Sequence, residues 1–450
     1  MQRDAQGLEL TTDSAPAAAA WDQTIAAYLG YRADTAQRLA ATLAADPGFG
    51  LGQCLSGYVA LLGFNAAMLP VAAAAADRAR PLLAAATLRE RAHLAALEAW
   101  LAGMADRAVR IWEQILADHP RDALAFRLAH FVNFWLGRPE RMRASVLAVE
   151  PHWDRDAASF TALLACRCFA FEECGLYTEA EAAGREAIAR DPTDVWAAHG
   201  VAHVLEMQGR RAEGVAWIEQ LAPGWEAANN LRHHLYWHAA LFHFERGAFD
   251  RVLALYDTGF RDLGAPLTVA QPDLYIDVQN AVSMLYRLAR QGIDVGARWE
   301  ELADKAEARI GDCLSAFTLP HWAMALAATH RWDAAERFLR AMRHCAAGSD
   351  TIAAQVRAAA LPASEAVVAA ARGMPAEAVA LMRPALGAMR MLGGSHAQQD
   401  VLEQLFLDCA MAAGATEDAW MLLERAAGCH PVPPHRRRGY VAAARALGFD

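Results

Sequence analysis

GLYTEAEAAGREAIARDP, Gly175 to Pro192, has two echoes in the chain: GATEDAWMLLERAAGCHP from Gly414 to Pro431 and a looser GMADRAVRIWEQILADHP from Gly103 to Pro120. Each copy opens on a glycine, which ends the helix before it without a Cβ penalty, and a new helix starts about two residues later. Each closes on a proline, which cannot continue a helix. That punctuation predicts helix-turn-helix units on the 34-residue tetratricopeptide plan. With the closing proline set at position 32, position 20 is Ala108, Ala180 and Ala419, and position 8 is Ala96 and Ala202, small residues where two helices approach closely. Further pairs fall near 121–150, 194–222, 233–260, 275–310, 316–345 and 359–390, with the 275–310 unit divergent. Residues 21–88 read as two degenerate pairs. Ala, Leu, Arg and Glu at 3.6-residue spacing leave little room for strands. The expectation is therefore an all-α chain: one right-handed superhelix of tetratricopeptide-like repeats over 1–450, degenerate over 1–88 and regular from 89 onward.

Composition narrows the function. With 450 residues, 55% hydrophobic and 21% charged, the chain has ample core and no compositional case for disorder. A net charge of -10 lacks the cationic surface that a phosphate backbone needs, so nucleic acid is not expected as a partner. Lys305 is the single lysine among 42 cationic residues, which argues against Schiff-base chemistry and excludes a P-loop. MQRDAQGLELTTDS is not a secretory signal, and the apolar run from Ala67 to Leu83 is broken by Pro70, Asp77 and Arg78, so no membrane span is expected. The eight scattered cysteines, with no CxxC pair, read as free thiols of a reducing cytoplasm.

In such repeats the first helix of each pair lines the concave side, and positions 2, 5, 9, 12 and 13 form one inward stripe. In WAAHGVAHVLEMQG that stripe is Trp196, His199, His203, Glu206 and Met207. The preceding unit contributes Glu172 and Glu173, and the following one, HHLYWHAALFHFERG, contributes His234, Trp237 and His238. His321 takes a comparable place in its own unit. His199 with His203 and His234 with His238 are i, i+4 pairs, whose Cβ atoms lie about 5–6 Å apart. Helices pack about 8–10 Å apart, so four imidazoles converge if these helices are neighbours. His199, His203, His234 and His238 are then candidate ligands for a divalent metal such as Zn, Fe or Mn, with Glu172, Glu206 and Asp277 as further ligands, orienters or bases. Two alternatives stand beside this one. The same residues could form a metal-free hydrogen-bonded pocket, in which clustered imidazoles titrating near neutral pH do acid-base work, or they could satisfy backbone groups between helices. Trp196 and Trp237 suit a ligand-stacking wall or a filled inter-helix groove. His233 and His243 point off the stripe, and His435 with Arg436, Arg437 and Arg438, after Pro433 and Pro434, reads as a solvated turn.

GGSHAQQD, Gly393 to Asp400, differs in kind. Ser395 is placed to cap a helix, and His396 and Asp400 form another i, i+4 pair at that helix's N-terminus. This segment, HGVAHVLEMQGR, the stretch containing HLYWHAAL, and the opening DAQGLEL with YRADTAQRLAATLAADPGF together resemble the tetratricopeptide repeat protein 38 family, the StaR-like group. The resemblance runs over essentially the whole chain and implies an α-helical repeat fold without an agreed activity. Some bacterial members are associated with natural-product pathways, which implies small-molecule chemistry. The family's histidine-bearing stretches match at His199, His203, His234, His238 and His396. Gly200 stands where alanine is expected, a change of little expected consequence.

Two functions follow. One is an enzyme or binder acting on a small polar molecule in the groove, with His199, His203, His234, His238 and His396 around it and Glu206 or Asp400 as base or orienter. The other is a scaffold that captures a peptide or protein. Lys, Arg and Asn, which usually hold peptide carboxylates, give way to His, Trp and Glu on the central stripe. That favours the first reading. The sequence leaves room for a homo-oligomer.

Overall fold

The structure, a computed structural model, describes residues 1–157 and 159–449. Two-residue strands β1 (Gln2–Arg3) and β2 (Glu9–Leu10) pair antiparallel at the N-terminus, Gln2 opposite Leu10. This hairpin was not expected. The remaining regular elements of the described residues are helical, as the punctuation predicts. In chain order they are α1 (Ala15–Leu29), α2 (Thr35–Ala45), α3 (Gly50–Leu62), α4 (Leu69–Leu82), α5 (Leu88–Leu101), α6 (Ala105–Asp118), α7 (Ala123–Trp135), α8 (Pro139–Val149), α9 (Phe160–Glu172), α10 (Tyr177–Arg190), α11 (Val195–Met207), α12 (Arg211–Leu221), α13 (Leu231–Glu245) and α14 (Phe249–Leu255). After the short α15 (Pro266–Ala270) come α16 (Tyr275–Arg290), α17 (Arg298–Ala308), α18 (Thr318–Ala328), α19 (Trp332–Ala346), α20 (Thr351–Gln355), α21 (Leu361–Ala371), α22 (Pro375–Ala385), α23 (His396–Ala412), α24 (Thr416–Cys429) and α25 (Val441–Leu447).

One turn closes the first helix of successive pairs. At the end of α5, Gly103 has φ 75°, its N–H donates to Trp100 O, and Met104 N–H donates to Ala99 O. This is a Schellman closure, which satisfies two carbonyls that the helix leaves open. The same bond pair recurs at Gly137, Gly175, Gly209, Gly247, Gly292, Gly373 and Gly414, all at positive φ. The first four intervals are 34, 38, 34 and 38 residues, the signature of a helical-pair repeat. The small residues expected at the crossings are fully buried: Ala108, Ala180 and Ala419 are each at 0% exposure.

The chain divides into two compact units: Met1–Val201 with Leu221–Arg232, and Ala202–Gln220 with His233–Asp450. In the first, α1 packs on α2, α3 on α4, α5 on α6, α7 on α8 and α9 on α10. Arg89 and His93 of α5 bury their side chains against Asp122, the cap of α7, at 2.7 and 3.1 Å. In the second unit, the first helices of four pairs form one layer, α16 against α18 and α23, and α21 against α18 and α23. No helix among the described residues is long and apolar enough to cross a membrane.

Two closures depart from the glycine rule. Tyr31 ends α1 at φ 52°, its N–H donating to Tyr28 O and Arg32 N–H to Ala27 O. His330 closes α18 with the same two bonds at φ 54°, where an L side chain is strained. His330→Gly therefore raises stability by about 1 kcal/mol in urea unfolding, with no change in slope.

Gly200 corrects the sequence reading. A Cβ at this position would lie 2.6 Å from Cys168 Sγ and 3.2 Å from its Cβ, so alanine does not fit. Gly200→Ala is expected to lower stability by about 1–3 kcal/mol, and Cys168→Ala in the same chain to recover most of that. A double-variant loss equal to the sum of the two single-variant losses would refute the clash.

Candidate functional site

The predicted residues fall in both units. In the first, Asp194 caps α11 by accepting from the backbone N–H groups of Trp196 and Ala197, both at 2.9 Å. Burial pushes its carboxyl up to about 6. Trp196 packs against Tyr31, Phe169 and His199, with the His199 ring stacked on it at 4.7 Å and 24°. The buried Arg127 guanidinium lies over Tyr31 and Trp196 at 4.4 and 4.9 Å and donates to Cys166 Sγ. This arginine was missed because a lone cation in an apolar helix (ALAFRLAHFVNFW) carries no spacing signal. Trp196 is thus a packed residue of a cation-aromatic stack, not an open wall. Glu172 is buried beside Glu173, and desolvation, reinforced by that neighbouring acid, holds its carboxyl protonated far above the usual range.

The second unit holds the rest. His203 of α11 and His234 and His238 of α13 are at most 2% exposed, and each offers a ring nitrogen within 4.8 Å of the others'. The His203 and His238 ring centroids are 4.5 Å apart, and those of His234 and His238 4.8 Å. The i, i+4 spacing on α13 brings two of these rings to one face, as the sequence predicts. His234 Nδ1 donates to Asn280 Oδ1 at 2.9 Å, and Trp237 stacks on His234 at 5.1 Å and 13°. Trp237 is fully buried, so it too is packed. His396 is near enough that its charge would push His203 down.

These imidazoles do not titrate near neutral pH. Burial lowers His203 and His238 far below the usual value and His234 to about 4, and each further positive ring adds to the effect for His203 and His238. Metal-free acid-base work near pH 7 by these three rings is therefore not supported.

The acids sort differently. Asp277 Oδ2 meets Nδ1 of His233, the histidine set aside as off the stripe, at 3.2 Å. His321 Nδ1 donates to Phe317 O at 2.9 Å, a helix-internal bond. Ser395 caps α23 as expected, in a capping box with Gln398. Asp400, four residues after His396, is held by Arg437 Nη2 at 2.5 Å and Tyr440 Oη at 2.6 Å, with Arg287 at 3.8 Å. These partners overcome its burial and hold it below the usual carboxylate range, so it is a poor base. The solvated turn is corrected in part. His435 and Arg436 are exposed, but Arg437 turns inward to Asp400 and Arg438 N–H donates to Glu245 Oε2.

An apolar cleft was not foreseen. It encloses about 560 Å³ at the C-terminal ends of α16, α18, α21 and α23, between Met324, Val367 and Leu405, with Trp299 at one side. Asp408 is the one charged residue among the described residues that line it, bound by Arg290 and by Tyr286 Oη.

No protein-family model matches the chain. Solved structures to which it is similar include yeast Tom70, at 11% identity over 95% of this chain and 87% of that one, with a TM-score of 0.40. The TPR domain of P58(IPK) is similar at 11% identity over 73% of this chain and 99% of that one, with a TM-score of 0.23. Neither likeness speaks for an activity or a partner.

Glu206 generates a prediction. Burial, with Glu245 and Asp400 adding and Arg287 and Arg211 opposing, pushes it up to about 8. The folded state thus holds a proton that the unfolded chain releases near its ordinary value of 4.5. Its stabilising share is complete below that value and is lost as pH rises toward 8. Glu206→Gln keeps the neutral form at all pH. It should match the parent near pH 5 and exceed it by about 2 kcal/mol or more at pH 9. Parallel stability curves from pH 5 to 9 would exclude this placement of the proton.

Proposed function

We propose that this chain is a partner-binding helical-repeat protein, and that the cleft of the second unit takes a peptide segment with an apolar anchor followed by a basic residue. The supporting observation is the cleft's position. Its walls are the last turns of four first helices, around Ala289, Ala328, Ala371 and Ala412. Helix C-termini carry partial negative charge. Asp408 at the same place is already paired with Arg290, so the negative character of the rim comes from the four helix ends. The apolar body of about 560 Å³ suits a few buried side chains, and the negative rim suits a cation beside them.

The test uses two fluorescent peptides, one with leucines followed by arginine and one with glutamate in place of the arginine. The arginine peptide is expected to bind saturably at one per chain, at least about 10-fold tighter than the glutamate peptide, with the gap closing at high salt. Ala371→Trp and Ala328→Trp, at exposed rim positions, should each abolish binding without changing the melting temperature. Equal affinity for both peptides, or binding unaffected by either tryptophan, overturns the proposal.

The second reading is a small-molecule enzyme or binder using His203, Glu206, His234, His238 and His396. It is supported by the three imidazoles that converge inside the second unit.

A further inference from the structure

We infer that His203, His234 and His238 form a binding site for a divalent transition metal, zinc by chemistry, in the interior of the second unit. This goes beyond the peptide reading, and the two stand or fall separately. His199 is left out of the set because its ring belongs to the Trp196 and Phe169 stack of the first unit.

Three features carry the inference. The first is ligand type and number. Three neutral imidazoles are a nitrogen-only set that suits zinc, copper, nickel or cobalt and not the oxygen-seeking magnesium or calcium. Three protein ligands also leave a fourth position open, the form that zinc takes where water or substrate completes the shell.

The second is reach. The candidate nitrogens lie within 4.8 Å of one another. Zn–N bonds of about 2.0–2.1 Å in tetrahedral array place ligand nitrogens about 3.4 Å apart. The nitrogens therefore close by at most about 1.4 Å, a shift small side-chain rotations supply. His234 and His238 are already fixed on one face of α13, and His203 approaches from α11.

The third is orientation from the next layer. The Asn280 carbonyl oxygen can only accept, so the proton of neutral His234 sits on Nδ1 and the lone pair on Nε2. Metal-bound histidines are commonly oriented by such an acceptor behind the ring. Trp237, stacked on His234 and fully buried, holds the same ring from its face. Burial of all three rings restricts their motion and excludes bulk water, which is the preorganisation a tight site needs.

The test takes the full-length protein, stripped with EDTA and kept reduced, and titrates it with zinc chloride and, separately, cobalt chloride. Elemental analysis after dialysis should find one zinc per chain. The cobalt form should show the strong visible d–d absorption of a four-coordinate centre without a thiolate charge-transfer band, which separates the histidines from the free cysteines. His203→Ala with His238→Ala should lose both signals while its far-UV circular dichroism is retained. If that variant fails to fold, Asn280→Ala decides. It removes no ligand, so zinc should still bind at one per chain, about 10–100-fold more weakly. Fewer than about 0.2 zinc per chain in the parent, full zinc uptake in the folded double histidine variant, or an unchanged zinc affinity in Asn280→Ala overturns the site.

Discussion

A residue in the left-handed region at the end of each first helix is the constraint on which the rest depends. Without it the last carbonyls of α5, α7, α9, α11, α13, α16, α18, α21 and α23 would lose their Schellman partners. The chain could not reverse within two or three residues to lay a second helix beside the first. Because the reversal is so tight, the crossing points must be small, and Ala108, Ala180 and Ala419 are there for that reason. An alanine-rich chain with a glycine every few turns is the compositional consequence.

The same geometry makes polar residues costly inside the first helices, since these helices are buried nearly all round. The structure uses a different solution in each unit. In the first, Arg127 spreads its charge over Tyr31 and Trp196, and Arg89 and His93 meet Asp122. In the second, the imidazoles are uncharged, and the full charges are gathered elsewhere, Asp400 with Arg437 and Asp408 with Arg290. Each arrangement avoids an isolated buried charge, which would cost several kcal/mol.

The fold was legible because it rests on punctuation, and punctuation is local. Glycine and proline at fixed offsets survive however the partners vary. The closure within the 316–345 pair carries no such mark, because His330 adopts the glycine conformation without being glycine. The β1–β2 pairing left no trace because two-residue strands have no period to detect. The paired histidines were legible from helical spacing alone. Asn280 and Arg287 were not, because they sit in α16, whose closing Gly292 comes 45 residues after Gly247 and so breaks the register. Arg437 and Arg438 were read as solvent-facing because a run of arginines after two prolines usually is. Their partners, Asp400 and Glu245, are 37 and 193 positions away, and only the folded chain brings them together.

The interior of the second unit also decides what its histidines can do. Arg287, buried on α16, lies 6.0 Å from the Trp237 ring that stacks on His234 and donates to Ala397 O at the start of α23. Its charge faces Asp400, and what opposes an added proton on the rings is their burial and, for His203 and His238, the neighbouring imidazoles. Burial does not remove their lone pairs. Imidazoles that cannot become cations are useless as acids, yet they keep the form in which nitrogen coordinates or accepts. The surroundings that argue against proton transfer therefore leave coordination and hydrogen-bond acceptance as the chemistry these rings retain.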